Sequence, residues 1–158
     1  MKPTVYIETT IVSYLTAWPS RDVVRLSHEM LTREWWAKRK PSFEVYVSDF
    51  VFDEAARGDP VAAAERLRNL ADIPRLRVNS ATTDLSERLA TALALPHRAR
   101  LDAAHLAISA VYGIAFLLTW NCTHLANGSL ADRIERTCAE AGYKAPKILT
   151  PELLMESP

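Results

Sequence analysis

Near the start of the chain lies the stretch Val5-Tyr6-Ile7-Glu8-Thr9-Thr10, in which a β-branched and aromatic run ends in a carboxylate and two hydroxyls. Far downstream, the apolar run Ala115-Phe116-Leu117-Leu118-Thr119-Trp120 also ends in a polar residue, Asn121. In an open parallel sheet, ligands bind outside the carboxyl ends of the strands, near the point where the strand order reverses. The two polar strand ends are therefore predicted to belong to one site.

The composition is that of an ordinary globular protein. The chain has 158 residues, a length that predicts a single domain spanning residues 1–158 with a substantial core. Lys plus Arg equals Asp plus Glu, at 19 each, so the net charge attracts no particular partner. A nucleic-acid substrate would need a local basic patch instead.

The cysteines and the apolar runs indicate the compartment. Cys122 and Cys138 lack metal-binding spacing and are too few for a disulfide framework, so we expect two reduced thiols. The longest apolar run, around 110–120, falls short of the roughly 20 residues that a membrane span needs. These patterns predict a cytoplasmic protein that does not contact a membrane.

Strand and helix patterns alternate along the chain. Strand patterns occur at 4–7, 43–47, 75–78, 115–119 and, more weakly, 147–149. Helical patterns occur at 9–17, 21–40, 61–70, 85–95, 98–112 and 129–141, with a break expected near Pro96 and a stop at Gly142. This alternation predicts the α/β class, as a three-layer α/β/α sandwich with a central, mostly parallel sheet.

Four residues are candidates for a shared site. Glu8 ends the first strand, Asn121 ends the fourth, and Glu54 follows the second on a predicted short helix. Asp102 lies on a helix that is almost wholly apolar beyond it, and a buried carboxylate needs a partner or a metal.

Each candidate also has an ordinary structural explanation. Glu8 could cap the next helix, Glu54 could be solvated surface, and Asn121 could form an Asx-turn. Asp102 could pair with Arg98 one turn earlier, an interaction worth about 0.3–0.5 kcal/mol. The argument for a site therefore depends on the joint placement of the four residues.

Their chemistry suits a hard divalent cation. Mg²⁺ and Mn²⁺ take carboxylate and carbonyl oxygens, whereas the chain has no Cys/His cluster with the spacing of a zinc site. A metal held in this way can activate water and neutralise charge on a phosphodiester. The sequence thus favours Mg²⁺- or Mn²⁺-dependent phosphodiester hydrolysis.

The residues resemble those of PIN-domain ribonucleases, in particular the VapC-like toxins of prokaryotic toxin–antitoxin pairs. Four stretches, spread over nearly the whole chain, carry the resemblance: Tyr6-Ile7-Glu8-Thr9-Thr10, the Glu54–Pro60 segment, Asp102-Ala103-Ala104-His105-Leu106-Ala107, and the Leu118–Asn127 segment. The resemblance implies a compact α/β/α fold, an acidic pocket for Mg²⁺ or Mn²⁺, and hydrolysis of RNA. It also implies a small antitoxin partner and a homodimer.

The resemblance assigns roles to individual residues. Glu8, Glu54 and Asp102 stand at the family's three acidic positions, and Thr10 at the small polar position that supports the metal ligands. Asn121 stands where many members have Asp. Glu8 is one methylene longer than the usual Asp, and Asn121 lacks a charge, so both depart from the commonest pattern.

We therefore hypothesise that Glu8 and Asp102 hold the metal and that Asn121 orients a bound water. Glu54 would be a further ligand or would position the nucleophile. Two basic residues before Asp102, Arg98 and Arg100, are predicted to contact RNA phosphates.

Two histidines lie near these candidates. His105, on the apolar helix, is predicted to be a core histidine whose hydrogen bonds are satisfied, although contact with Asp102 is an alternative. His124, after the fourth strand, is predicted to lie on a surface loop, with the pocket mouth as the alternative.

Two other functions compete with the ribonuclease. One is a non-catalytic PIN-like module that binds RNA or protein, which the departures at Glu8 and Asn121 favour. The other is an aspartyl-phosphate phosphohydrolase on a similar sheet. That chemistry needs a nucleophilic Asp and a second acid after the first strand, and Glu8-Thr9-Thr10 does not supply them.

Overall fold

The computed structural model describes residues 1–156 of the chain. Its centre is a five-stranded sheet in which every pairing is parallel, with the strand order β3-β2-β1-β4-β5. The strands are β1 Thr4–Ile7, β2 Glu44–Ser48, β3 Arg75–Leu76, β4 Phe116–Leu118 and β5 Lys147–Leu149. Each overlaps a predicted strand.

The strand order reverses beside β1. The chain builds β1, β2 and β3 towards one edge and then returns to place β4 against the other side of β1. In that pairing Ile7 lies opposite Leu118, and the Glu8 amide donates to the Leu118 carbonyl at 3.1 Å. The residues that follow β1 and β4 therefore meet at the reversal, where parallel sheets bind ligands.

Seven helices cover the two faces of the sheet. One layer consists of α1 Thr9–Thr16, α2 Val23–Lys38, α3 Asp49–Ala55 and α4 Pro60–Leu70, which contact one another. The other consists of α5 Ser80–Ala92, α6 Arg100–Val111 and α7 Gly128–Glu140. Because parallel crossovers are right-handed as a rule, connections that run in opposite directions along the sheet place these two groups of helices on opposite faces. The predicted three-layer α/β/α sandwich is thus confirmed.

The helix ends follow local capping chemistry. The Asp59 side chain accepts from the Ala62 amide at 2.9 Å and caps α4, which begins one residue before the predicted helix 61–70. By contrast, α5 begins at Ser80, five residues earlier than predicted. Asn79 and Thr82 form a capping box there, which the apolar pattern did not reveal. The predicted break near Pro96 is a 3₁₀ turn at His97–Ala99.

The core lies against the sheet, and α6 is its most deeply buried helix. Every residue from 103 to 110 is buried, including the polar His105 and Ser109. Because the helix is apolar on nearly all sides, it can pass between the sheet and α5. Within residues 1–156, no helix combines the length and apolar character needed to cross a membrane.

Candidate metal centre

Glu8 is held at the reversal point by three donors to a single oxygen. Its Oε1 accepts from the Thr10 amide at 3.1 Å, from the Thr10 hydroxyl, and from the Thr119 hydroxyl at 2.7 Å. The bond to the Thr10 amide also caps α1, where a negative charge favours the helix dipole. Glu8 thus fills the capping role considered above with one oxygen, and among the described residues Oε2 has no donor.

The two threonine hydroxyls connect Glu8 to the end of β4. The Trp120 amide donates to Thr10 Oγ1 at 2.9 Å, and the Asn121 amide donates to Thr119 Oγ1 at 2.9 Å. A hydroxyl that accepts one hydrogen bond directs its own proton to another partner. Two successive backbone amides therefore fix both hydroxyl protons on Glu8.

Glu54 lies on α3, the helix that follows β2, and its carboxylate comes close to that of Glu8. Its Oε1 accepts from the Thr9 hydroxyl at 2.9 Å and from His105 Nε2 at 2.6 Å. Burial acts to raise the pKa of Glu54, but the hydrogen bond and positive charge of His105, together with Thr9, outweigh it. The pKa is therefore lowered, which favours the carboxylate form.

His105 is a fully buried histidine with a partner on each nitrogen. Nδ1 is hydrogen-bonded to the Tyr6 hydroxyl at 2.6 Å, and that hydroxyl lies 2.7 Å from Ser48 Oγ. Burial acts to lower the pKa of His105, yet its bond to Glu54 and the nearby carboxylates raise it overall. The core placement is as predicted, whereas its carboxylate partner is Glu54 and not Asp102.

These residues form a possible metal site. Glu8, Glu54 and His105 each offer one ligand atom, and the three atoms lie within 4.8 Å of one another. Both carboxylates use Oε1 for protein donors, and within residues 1–156 nothing donates to either Oε2. Two such oxygens fit a hard divalent cation, whereas both ring nitrogens of His105 already have hydrogen-bond partners.

Asp102 lies on the first turn of α6 and is paired with a different histidine. Its Oδ2 lies 2.9 Å from His124 Nδ1, and the two side chains are 17% and 24% exposed. His124 thus lies on the loop after β4, as predicted, and is half-buried there against Asp102. The ion pair between Asp102 and Arg98 is not formed, since the only partner of Asp102 in the described chain is His124.

Asn121 explains the position of His124. Its Oδ1 accepts from the His124 amide at 3.0 Å and closes the turn after β4, much as the Asx-turn alternative proposed. The turn brings the imidazole back over Asp102. The side-chain oxygen of Asn121 is consequently engaged within the loop, and its backbone amide is what connects to Thr119 and hence to Glu8.

Sequence reasoning missed several residues of this centre. Thr9, Thr119 and Tyr6 lie next to predicted site residues, and their hydroxyls act as hydrogen-bonding partners in the centre. Thr9 and Thr119 follow the ends of β1 and β4, but only the folded register shows which carboxylate each one contacts. Tyr6 lies within β1, and its hydroxyl contacts Ser48 and His105. Arg98 and Arg100 are exposed just before Asp102, where they were predicted to lie.

Comparison with known proteins identifies the fold. The sequence matches no model of a protein family and no curated protein. Seven chains of solved structures match, among them VapC20 of Mycobacterium tuberculosis, described as a toxin that cleaves the sarcin–ricin loop. The two share 21% sequence identity and a TM-score of 0.55, over 79% of this chain and 95% of VapC20. The chain therefore has a VapC-like PIN fold.

Proposed function

We propose that this protein is a Mg²⁺- or Mn²⁺-dependent endoribonuclease that hydrolyses RNA phosphodiester bonds. The observation that carries the proposal is the convergence of Glu8 and Glu54, which bring carboxylate oxygens within 4.8 Å of each other and each keep one oxygen without a donor among the described residues. The fold shared with a toxin that cleaves the sarcin–ricin loop supports the same activity.

In this proposal Glu8 and Asp102 hold the ion, directly or through water, and Glu54 is the further ligand. A bound divalent ion would supply positive charge for the scissile phosphate and lower the pKa of a nearby water. The protein contributes the geometry, because Thr10 and Thr119 fix the Glu8 carboxylate in position before the ion binds.

The remaining residues position the proposed ligands or contact the RNA. His105 and Thr9 fix Glu54, and His124 orients Asp102. Asn121 shapes the loop that carries His124, and its side-chain amide is proposed to orient a bound water. Arg98 and Arg100 are proposed to contact the RNA backbone.

We further propose that the protein is a toxin that acts in the cytoplasm. Its partners would be a small antitoxin and a second copy of the same chain. The VapC-like fold supports this assignment.

The direct test is RNA cleavage in the presence of Mn²⁺ by the wild type, Asp102→Asn and the matched control Asp132→Asn. Asp132 is exposed on α7, so its substitution should leave cleavage unchanged. Asp102→Asn should lower the rate by at least about 100-fold, because it removes a charge next to the ion. Equal rates for all three proteins would remove Asp102 from the mechanism.

A non-catalytic PIN-like module is the second candidate, and the engagement of Asn121 favours it. Because its side-chain oxygen already accepts from the His124 amide, one ligand position of the common pattern is occupied. Calorimetry separates the candidates. Failure to bind Mn²⁺ at millimolar concentration would favour the module.

A further inference from the structure

Beside the metal centre lies an aromatic cluster that the proposed mechanism does not use. The His28 ring, from α2, stacks on the Trp120 indole with centroids 4.0 Å apart and an angle of 11°. Tyr14, from α1, presents an edge to both rings, with centroid distances of 6.3 and 6.1 Å. We call Tyr14, His28 and Trp120 the aromatic cluster.

The innermost ring of this cluster is fixed to the metal centre. The Trp120 amide donates to Thr10, which binds Glu8, and the indole Nε1 donates to Thr32 Oγ1 at 2.7 Å. Trp120 is only 8% exposed, so it packs in the interior and offers little surface of its own. His28 and Tyr14 are half-buried and form the outer part of the cluster.

Two residues of the outer part carry polar groups that the fold leaves unused. In residues 1–156, nothing hydrogen-bonds to either ring nitrogen of His28 or to the Tyr14 hydroxyl, and none of these atoms is buried. The Arg25 guanidinium lies over the Tyr14 ring, 5.1 Å from its centroid. Its Nε is 3.7 Å from the buried Glu29 Oε1, but the side chain is 57% exposed and can also reach a phosphate. Stacking surface, hydrogen-bonding atoms and a cation thus occur together.

We propose that His28, Tyr14 and Arg25 form a nucleotide subsite of the RNA substrate. A base stacks on the imidazole of His28, and Arg25 contacts an adjoining phosphate. Aromatic rings stack on every base, and a nearby arginine adds phosphate attraction, so the subsite binds single-stranded RNA without a strict sequence requirement. The inference rests on the proposed ribonuclease function, because it places a nucleotide of that substrate beside Glu8.

The test measures binding without catalysis. A fluorescent single-stranded RNA of mixed sequence is titrated with metal-free protein, and the dissociation constant is obtained from anisotropy. His28→Ala should weaken binding about tenfold, the loss expected for one stacked base. His28→Phe, which keeps an aromatic face, should bind within about twofold of the wild type. Ser27→Ala, at the adjacent exposed position, is the matched control.

Abasic RNA tests stacking itself, and salt tests the phosphate contact. With an RNA whose bases are removed, wild type and His28→Ala should bind equally. For Arg25→Gln, the slope of log K against log salt should fall by about 0.7, the value for one phosphate of a single strand.

The outcomes separate this subsite from the proposed function. If the wild type cleaves RNA but His28→Ala binds as tightly as the wild type, the subsite is refuted and the ribonuclease stands. If binding depends on His28 yet no RNA is cleaved with Mn²⁺, the subsite is supported and the ribonuclease is refuted. If the metal-free wild type binds no RNA, the subsite is refuted. Loss of binding in His28→Phe as well as His28→Ala would also count against stacking.

Discussion

The two sides of the candidate centre are built in different ways. On the inner side, Glu8 and Glu54 each have one oxygen held by two or three donors, which come from the neighbouring Thr10 and from the distant Thr119 for Glu8, and from the distant Thr9 and His105 for Glu54. On the outer side, Asp102 has a single partner, His124, on a loop that is itself closed by Asn121. The inner carboxylates are therefore preorganised, whereas the outer pair can rearrange.

This difference indicates what each side contributes. Carboxylates fixed before a ligand arrives lose little conformational entropy when they bind it, and the donors offset the cost of holding two like charges together. Asp102 is less exposed than Glu54, at 17% against 26%, but it depends on one hydrogen bond, so an arriving ion or phosphate can displace His124 from Asp102 at small cost. The inner side should determine the affinity for the metal ion, and the outer side should affect the rate of RNA cleavage.

The largest expected effect comes from Glu8→Gln. The glutamine oxygen can still accept from Thr10 and Thr119, so the fold should persist, but Nε2 replaces the oxygen that a cation would bind. We expect Mn²⁺ affinity measured by calorimetry to fall by about 100-fold or more. Glu87→Gln, at an exposed position on α5, should bind normally. An unchanged affinity in Glu8→Gln would show that the inner side is not the metal site.

The next effect is on stability, from His105→Ala. The substitution leaves Tyr6 and the partly buried Glu54 without their shared partner, and breaking a buried charged pair costs about 3 kcal/mol or more. Urea unfolding should show this loss. Ser109→Ala is the matched control, because its hydroxyl bonds only to the His105 carbonyl of its own helix, and it should cost less than about 1 kcal/mol. Equal losses of unfolding free energy in the two variants would mean that the hydrogen bonds of His105 add nothing to the stability that the packing of α6 provides.

The sequence predicted the fold well because its strands are short, apolar and separated by helices. Every predicted strand exists, and the two polar strand ends meet where the strand order reverses. Glu54 could be placed after β2 because parallel strands end at the same edge of the sheet. These inferences use only periodicity and general rules of sheet topology.

The pairing of side chains within the site could not be predicted in the same way. His105 lies only three residues from Asp102 and His124 lies 22 residues away, yet the helix turns His105 towards Glu54 and the loop brings His124 to Asp102. The first outcome depends on the rotation of α6 against β1, and the second on the turn closed by Asn121. Both outcomes depend on tertiary packing, which leaves no pattern in the local sequence.

His124→Ala tests the outer side and should have a smaller effect. Since both side chains are partly exposed and share one hydrogen bond, we expect a change in unfolding free energy of about 1 kcal/mol or less. RNA cleavage should fall about tenfold, as when a residue that orients a ligand side chain is removed. His97→Ala, exposed in the turn before α6, is the control. A stability loss as large as that of His105→Ala would contradict the division into two sides.

The smallest perturbation is chemical modification of the two thiols, one of which is exposed and the other buried. Cys122 is exposed on the same loop as His124, whereas Cys138 is buried in α7, where burial raises its pKa to about 11. Because the thiolate is the reactive form, a thiol reagent at neutral pH should modify one cysteine in the native protein and two in denaturant. Cys122→Ser should abolish the native reaction and leave the fold intact. Rapid modification of Cys138 in that variant would show that α7 opens readily. The loop that precedes α7 and carries His124 could then not hold His124 against Asp102 as firmly as the hydrogen bond indicates.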